Sequence, residues 1–247
     1  VIMIPSRAVV GVLRECGEKG VKGAVIITAG FREAGPEGVA REKELLAVAK
    51  EYGIRIIGPN CLGIIDTFVP MNVSFAAGTP KSGSIAFMSQ SGALCTAILD
   101  YALAETIGFS HFVSLGNKSD VDEVTLLEAW GDDDRTNVII AYIEGLRDGA
   151  EFISQARKTA GNMPIIAVKS GRTAMGSRAV SSHTGSLAGA DAAYSAGFKQ
   201  AGVIRAETVE ELFDFSTAFA YQPLLKGKRI AIVTNAGGPG VMATDAL

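Results

Sequence analysis

Between residues 170 and 188 the sequence gathers the groups that a phosphoryl-transfer step needs. The stretch Ser170-Gly171-Arg172-Thr173-Ala174-Met175-Gly176-Ser177-Arg178-Ala179-Val180-Ser181-Ser182-His183-Thr184-Gly185-Ser186-Leu187-Ala188 holds one of the two histidines in the chain, two arginines, and hydroxyls on both sides of the imidazole. Neutral imidazole attacks phosphorus near neutral pH, and glycines let backbone N–H groups approach phosphate oxygens closely. The apolar strand pattern Pro164–Val168 precedes this stretch and the helical pattern Asp191–Gln200 follows it. Connections between a strand and a helix usually take about 2–6 residues, so one of this length implies a task. His183 is the candidate phosphoryl carrier. A solvated loop histidine is the plain alternative, and the loop alone leaves both open.

A second chemical pattern occurs twice. Ile85-Ala86-Phe87-Met88-Ser89-Gln90-Ser91-Gly92 aligns without gaps on Ile230-Ala231-Ile232-Val233-Thr234-Asn235-Ala236-Gly237. Each copy reads as an apolar strand, a hydroxyl residue, an amide residue, a small residue and glycine, followed by a helix. A helix start offers free N–H groups and roughly half a positive charge, so each copy can bind an anion. Any two doubly wound units share the strand and the glycine, but Ser-Gln beside Thr-Asn is less readily explained that way.

These groups need elements to hold them. Val1–Ile4, Gly23–Thr28 and Arg55–Ile57 read as strands, with helices over Arg7–Lys19 and Glu37–Tyr52. A second strand set is expected at Ile85–Ser89, Phe109–Ser114, Val138–Ile143, Pro164–Val168 and Val203–Arg205. Helices are expected at Ala93–Glu105, Val121–Trp130, Ala150–Ala160, Asp191–Ala201 and Thr208–Ala220, and continuously apolar strands between helices signal a parallel sheet covered on both faces. A further strand, Ile230–Thr234, opens a third unit. The expected division is 1–70 for a partial Rossmann-like domain, 71–83 for a linker, 84–225 for a flavodoxin-like doubly wound domain, and 226–247 for the start of another. Pro70, Pro80 and several small residues suggest the linker.

Composition narrows the classes. The chain has 247 residues, 48% of them hydrophobic, and a formal charge of −3, which fits a folded α/β protein and argues against a general nucleic-acid surface. No apolar run approaches the roughly 18 residues of a membrane span. Cys16, Cys61 and Cys95 are too scattered for a disulfide framework or a CxxC metal site, so no metal site is expected and a reducing cytoplasm is the simplest setting. Cys16 and Cys95 fall in helical apolar patterns, and His111, inside a strand, reads as structural. The chain begins inside an apolar strand pattern and ends soon after a new strand-turn-helix, which reads as an incomplete chain.

Ser182-His183-Thr184-Gly185-Ser186 resembles the phosphohistidine segment of the NDP-forming acyl-CoA synthetases, particularly the ADP-forming acetyl-CoA branch, with succinyl-CoA synthetase a more distant relative. The resemblance implies catalytic roles for His183 and for Glu144, which follows the strand Ile139–Ile143 and would accept a hydrogen bond from the imidazole. It implies phosphate held between two helix starts, one at Ser89, Gln90, Ser91 and Gly92, the other at Gly237 and Gly238. It also implies coenzyme A contacts at Thr28, Ala29 and Gly30 and at Asn60 and Cys61, within Ile57-Gly58-Pro59-Asn60-Cys61-Leu62-Gly63. Leu62 stands where succinyl-CoA synthetase has a second proline, which places a dicarboxylic substrate in doubt. Arg172 and Arg178 would offset charge or only keep the loop soluble, and Asn117-Lys118 would line the same rim.

The implied function is the α-type portion of an ADP-forming acyl-CoA synthetase, interconverting acyl-CoA, ADP and phosphate with acid, CoA and ATP. ADP/ATP and Mg²⁺ would sit on an ATP-grasp β subunit or fused domain, in a hetero- or homo-oligomer. Two rivals remain: a non-catalytic CoA-sensing or scaffold region of a protein acetyltransferase, and a flavodoxin-like assembly module without turnover. Relatives of the scaffold kind often lack the histidine, so His183 favours the enzyme.

Overall fold

A computed structural model describes residues 1–176, 178, 191–227 and 229–247. His183 lies outside the described residues, and so do Ser177, Lys228 and the rest of 179–190.

In the first unit, β1 (Gly23–Val25) and β2 (Arg55–Ile57) pair in parallel, and the strand expected over Val1–Ile4 contracts to a single bridge between Ile2 and Ile26. Two helices cover this small sheet: α1 (Ser6–Glu18) and α2 (Pro36–Tyr52). Pro36 opens α2 with its backbone angle preset, and Gly53, at φ +64°, closes it in the left-handed conformation that suits glycine. Val9, Leu13, Leu45 and Val48 bury against Ile26 and Ile56, forming a core of their own.

The second unit is a seven-stranded sheet in the order β4-β3-β6-β5-β7-β8-β9, in which β3 is Gly63–Asp66 and β4 is Met71–Ser74. Its parallel members are β5 (Lys81–Ser89), β6 (Gly108–Ser114), β7 (Val138–Ile143), β8 (Ile165–Lys169) and β9 (Ile204–Ala206). Numbered by themselves they run 2-1-3-4-5, the flavodoxin order, whose ligands bind beyond the carboxyl ends of the strands. Around them lie α3 (Gly92–Ala104), α4 (Glu123–Trp130), α5 (Gly149–Ala160), α6 (Asp191–Ala201) and α7 (Val209–Tyr221). Ser91, Asp122, Asp148 and Thr208 cap four of these helices with side-chain oxygens. One such cap is typically worth about 1 kcal/mol.

Two expectations are corrected here. The stretch expected to be a linker contains β4 (Met71–Ser74) and the start of β5, and β4 pairs antiparallel with β3 (Gly63–Asp66). β3 in turn pairs antiparallel with β6, so this hairpin extends the second sheet instead of separating two bodies. The Asp66 carboxylate accepts from Phe68 and Val69 N–H at 2.9 Å each, which closes the turn, and Pro70 sits within it. The second correction concerns Ile230–Thr234. It is not a strand: a β-ladder needs a partner, none pairs with it among the described residues, and Val233 is 97% exposed. The helix after it, α8 (Gly237–Asp245), does form.

His111 is a structural residue of β6. Its Nε2 lies 2.8 Å from Asp133 Oδ2, its Nδ1 lies 3.4 Å from Asp66 Oδ2, and its ring stacks on Trp130. Burial opposes ionisation of Asp133, but hydrogen bonds from Arg135, His111 and Thr136 outweigh it and hold the carboxyl well below the usual range. A depressed folded value stabilises the fold above the ordinary carboxylate pKa of about 4, and that stabilisation is lost as pH falls. The urea midpoint should therefore drop between about pH 5 and pH 2, and Asp133→Asn should flatten this slope while lowering stability at neutral pH. An identical acid slope in the variant would remove Asp133 from the acid response.

A polar seam joins the two units. Glu42 of α2, 6% exposed, receives Arg32 at 2.7 Å, Asn117 Nδ2 at 3.1 Å, and the Ser119 hydroxyl. Asp120 binds Arg55 at 2.9 Å and the Ile56 N–H at 2.7 Å, while Val121 N–H donates to Ile56 O at 3.1 Å. Gly116, at φ +56°, lets this segment press against the turn after β2; a Cβ there would lie 2.3 Å from Asn60 O.

Candidate functional site

The carboxyl end of β5 turns into α3 through a hydroxyl bracket. Ser89 Oγ donates to Ser91 O and accepts from Ser91 N–H, both at 3.0 Å, and the Ser91 hydroxyl accepts from Leu94 N–H at 3.2 Å. Thr234 repeats the bracket before α8: its Oγ1 donates to Ala236 O and accepts from Ala236 N–H, both at 3.1 Å. The twofold pattern in the sequence thus corresponds to one local geometry built twice. The copies differ in one respect. Ser91 supplies a hydroxyl cap, whereas Ala236 has no side-chain oxygen to offer.

The Gln90 side chain is engaged within the protein. Its Oε1 accepts from Glu144 N–H at 3.0 Å and Gly145 N–H at 3.1 Å. Its Nε2 donates to Gly145 O at 2.8 Å and to the Glu123 carboxylate. Glu123, 2% exposed, also binds the Lys118 ammonium at 3.0 Å. Gln90 therefore fastens the β7–α5 turn to the β5–α3 turn, so its side chain positions Glu144. This network uses Lys118 inside the site, and Asn117 at the seam to the first unit.

Glu144 follows β7 directly and is 6% exposed. On the neighbouring strand Lys169 ends β8 at 2% exposure, with its ammonium 4.5 Å from the centre of the Tyr194 ring and donating to Ser170 O. Burial lowers the Lys169 pKa, Asp191 raises it, Arg205 lowers it and Glu144 raises it; the net direction is down. Ser89, Gln90, Ser91, Gly92 and Glu144 thus meet at the carboxyl edge of the central strands. Gly237 and Gly238 open α8 as exposed residues.

The expected coenzyme A residues lie together at the carboxyl ends of β1 and β2, where Asn60 N–H donates to Thr28 O at 3.0 Å. Most of their polar groups are engaged within the protein. The Thr28 hydroxyl donates to Ile4 O at 2.8 Å and accepts from Ile4 N–H at 3.2 Å. The N–H groups of Gly30 and Phe31 both donate to the Glu33 carboxylate. Cys61 is buried, its thiol donates to Ile26 O at 3.4 Å, and burial pushes its pKa up to about 12, so it is not a nucleophile at neutral pH. Ala29 and Asn60 are the members that face outward. The Asn60 amide also donates to Asn117 Oδ1 at 3.3 Å.

Residues 82–219 match the succinyl-CoA ligase like flavodoxin domain, and residues 1–67 match the CoA binding domain. The first match covers more than half of the chain and carries Ser89, Gln90, Glu144 and His183. This chain belongs to the succinyl-CoA ligase-like family. Among relatives, the ADP-forming acetate–CoA ligase II subunit alpha of Pyrococcus furiosus is 51% identical over 99% of this chain and 53% of its own length. The ADP-forming acetate–CoA ligase of Methanocaldococcus jannaschii is 53% identical over 99% of this chain and 34% of its own. A solved structure of acetyl-coenzyme A synthetase 1 from Ca. Korarchaeum cryptofilum, in complex with phosphate and ADP, superposes with a TM-score of 0.94 at 44% identity, covering 99% of this chain and 53% of that one. The chain spans between about a third and about a half of the length of these curated ligases.

Within this ligase family the succinyl-CoA branch is more remote in sequence: an ADP-forming succinate–CoA ligase alpha subunit of Archaeoglobus fulgidus is 29% identical over 70% of the chain. Sequence reasoning missed Glu123 and Lys169. Lys169 did carry a readable signal, a single cation closing an otherwise apolar strand; Glu123 carried none, since its partners come from other elements. Among the described residues no helix is long and apolar enough to cross a membrane. No group of three His, Cys, Asp or Glu side chains there is arranged to hold a metal.

Proposed function

We propose that this chain is the α-type portion of an ADP-forming acyl-CoA synthetase of the cytoplasm, with acetyl-CoA or a similar monocarboxylic thioester as substrate. The observation that carries the reading is the Gln90 clamp, which joins the helix start at Ser89–Gly92 to Glu144. A phosphate at that helix start meets oriented N–H groups and a favourable dipole. A carboxylate on one imidazole nitrogen fixes the tautomer and leaves the other nitrogen to attack phosphorus.

Phosphate first attacks the thioester carbonyl, giving an acyl phosphate and releasing CoA as the thiol. His183 then attacks the phosphorus, the P–O bond to the acyl group breaks, and the carboxylate leaves. Glu144 takes up or shares the ring proton of the imidazolium formed, and that proton returns to the ring as the phosphoryl group passes from nitrogen to the terminal oxygen of ADP, so that ATP, neutral imidazole and the Glu144 carboxylate are produced together. Little covalent assistance is needed for such a transfer; orientation and fixed dipoles do most of it. CoA belongs along the Ala29–Asn60 edge. ADP and its Mg²⁺ belong to an ATP-grasp partner or fused domain, in keeping with relatives named as alpha subunits. Gly237 and Gly238 would face the phosphate from the opposite side.

The test is to mix the complete protein and its partner with γ-labelled ATP. Acid-labile, base-stable label on His183 is expected. Absence of label with CoA binding intact would favour the scaffold reading instead.

A further inference from the structure

The turn after β2 and the turn after β6 meet where the two units touch, and Asn117 makes the junction. Its N–H donates to Pro59 O at 2.8 Å, and its carbonyl accepts from Arg32 at 2.6 Å. Its Nδ2 donates to Glu33 at 2.6 Å and to Glu42 at 3.1 Å, and its Oδ1 accepts from Asn60 at 3.3 Å. An asparagine offers three N–H donors and two oxygen acceptors. In Asn117 every one of them meets a residue of the first unit. Glu33 in turn accepts from Gly30 and Phe31 N–H, so the Asn117 amide is linked to the turn after β1 as well.

Lys118, the next residue, is bound to the second unit. Its N–H donates to Leu115 O at 2.9 Å, and its ammonium binds Glu123 at 3.0 Å and Gly145 O. Its φ of +46° is uncommon for a residue with a side chain, and Asn60, across the junction, has φ +58°. Backbone of this kind persists where the surroundings over-determine it. Glu123 also accepts from the Gln90 amide, whose oxygen holds Glu144 N–H. Direct contacts therefore run without a break from the Ala29–Asn60 edge, through Asn117 and Lys118, to the turn that carries Glu144.

The synthetase cycle makes one demand on this junction. The thioester is held by the first unit and phosphate by the second, so the first new bond joins molecules bound to different units. A phosphate oxygen bonds to the carbonyl carbon and the C–S bond breaks; sulfur leaves with the electron pair and takes the proton that phosphate gives up. Such a step needs the reacting atoms held about 3–3.5 Å apart, and an error of about 1 Å costs about 10²-fold. We propose that Asn117 is a positioning residue for the attack of phosphate on the thioester: it fixes the Ala29–Asn60 edge relative to the helix start at Ser89–Gly92. The assignment rests on the proposed synthetase reading. Labelling of His183 by ATP uses no molecule bound to the first unit, so it does not depend on this alignment.

The experiment uses the complete protein with its partner and follows the two half-reactions separately. Release of CoA thiol from acetyl-CoA and phosphate, without ADP, reports the first; labelling of His183 by γ-labelled ATP reports the second. Asn117→Ala should lower the saturating rate of CoA release by about 10²-fold, with the Kd for CoA and the labelling rate each within about threefold of wild type. Asn117→Gln keeps every donor and acceptor but moves the amide by one methylene. It should show the same one-sided loss, and it serves where the alanine variant fails to fold. Equal losses in both half-reactions overturn the assignment, since a residue that only holds the fold would give them. A change confined to the acetyl-CoA concentration at half-saturation overturns it too, as the mark of a ligand contact, and so does no change at all. A wild type that takes no label or releases no CoA sinks the synthetase reading itself.

Discussion

His183→Asn should abolish labelling by ATP and ATP synthesis together, by at least about 10⁴-fold, while leaving the fold intact. Asparagine has similar bulk near the backbone but no nitrogen lone pair able to displace a carboxylate from phosphorus. The variant separates the steps of the proposed cycle. Attack of phosphate on the thioester needs no imidazole, so slow CoA release from acyl-CoA and phosphate should persist. Transfer of phosphorus to ADP should not. Full ATP synthesis by the variant, measured by coupled assay with equal subunit assembly, would refute the carrier role whatever the rest of the site does.

Glu144→Gln is the second large effect, and it is a sharper probe of the described structure. The backbone N–H of Glu144 binds Gln90 Oε1, and that contact survives the substitution, so the β7–α5 turn should keep its place. What is lost is the acceptor charge. An amide at this point stabilises a developing imidazolium poorly and can present its NH₂ to the ring, favouring the wrong tautomer. Phosphorylation by ATP should slow by about 10²–10³-fold with little change in melting temperature. An unchanged rate would assign Glu144 to structure alone.

How far these residues could be read from sequence depended on whether their reasons were local. The five parallel strands and the helices between them were legible because each is an apolar run between recognisable starts and stops, such as Ser91 before α3 and Thr208 before α7. The β3–β4 hairpin was not legible, because Pro70, Pro80 and small residues suggested a linker while the edge of β6 that recruits β3 lies more than 40 residues away. Ile230–Thr234 fails in the opposite sense: its residues suit a strand, but pairing is a property of two segments.

The site divides in the same way. The hydroxyl brackets at Ser89 and Thr234 follow from residue type and spacing alone. The work of Gln90 depends on Glu123 and Glu144, which the fold supplies from α4 and β7. Thr28 and Cys61 do stand at the turns after β1 and β2, but their side chains point back into the protein and bind backbone oxygens. Residue type alone gives no direction. The apolar run ends at Val168, whereas the strand itself runs on to include Lys169.

The seam around Glu42 bears on where this protein can be cut. A fragment ending at residue 67 would strip Glu42 of Asn117 and Ser119, leave Ile56 without Asp120 and Val121, and carry β3 away from β6. What remained would hold a shielded carboxylate newly bared to water and an orphan ribbon with nothing to lie against. Sequence families divide the chain near residue 67, but these bonds cross that border, and melting followed by two probes, one in each unit, should give coincident transitions. The amino-terminal unit should therefore be studied with the second sheet attached.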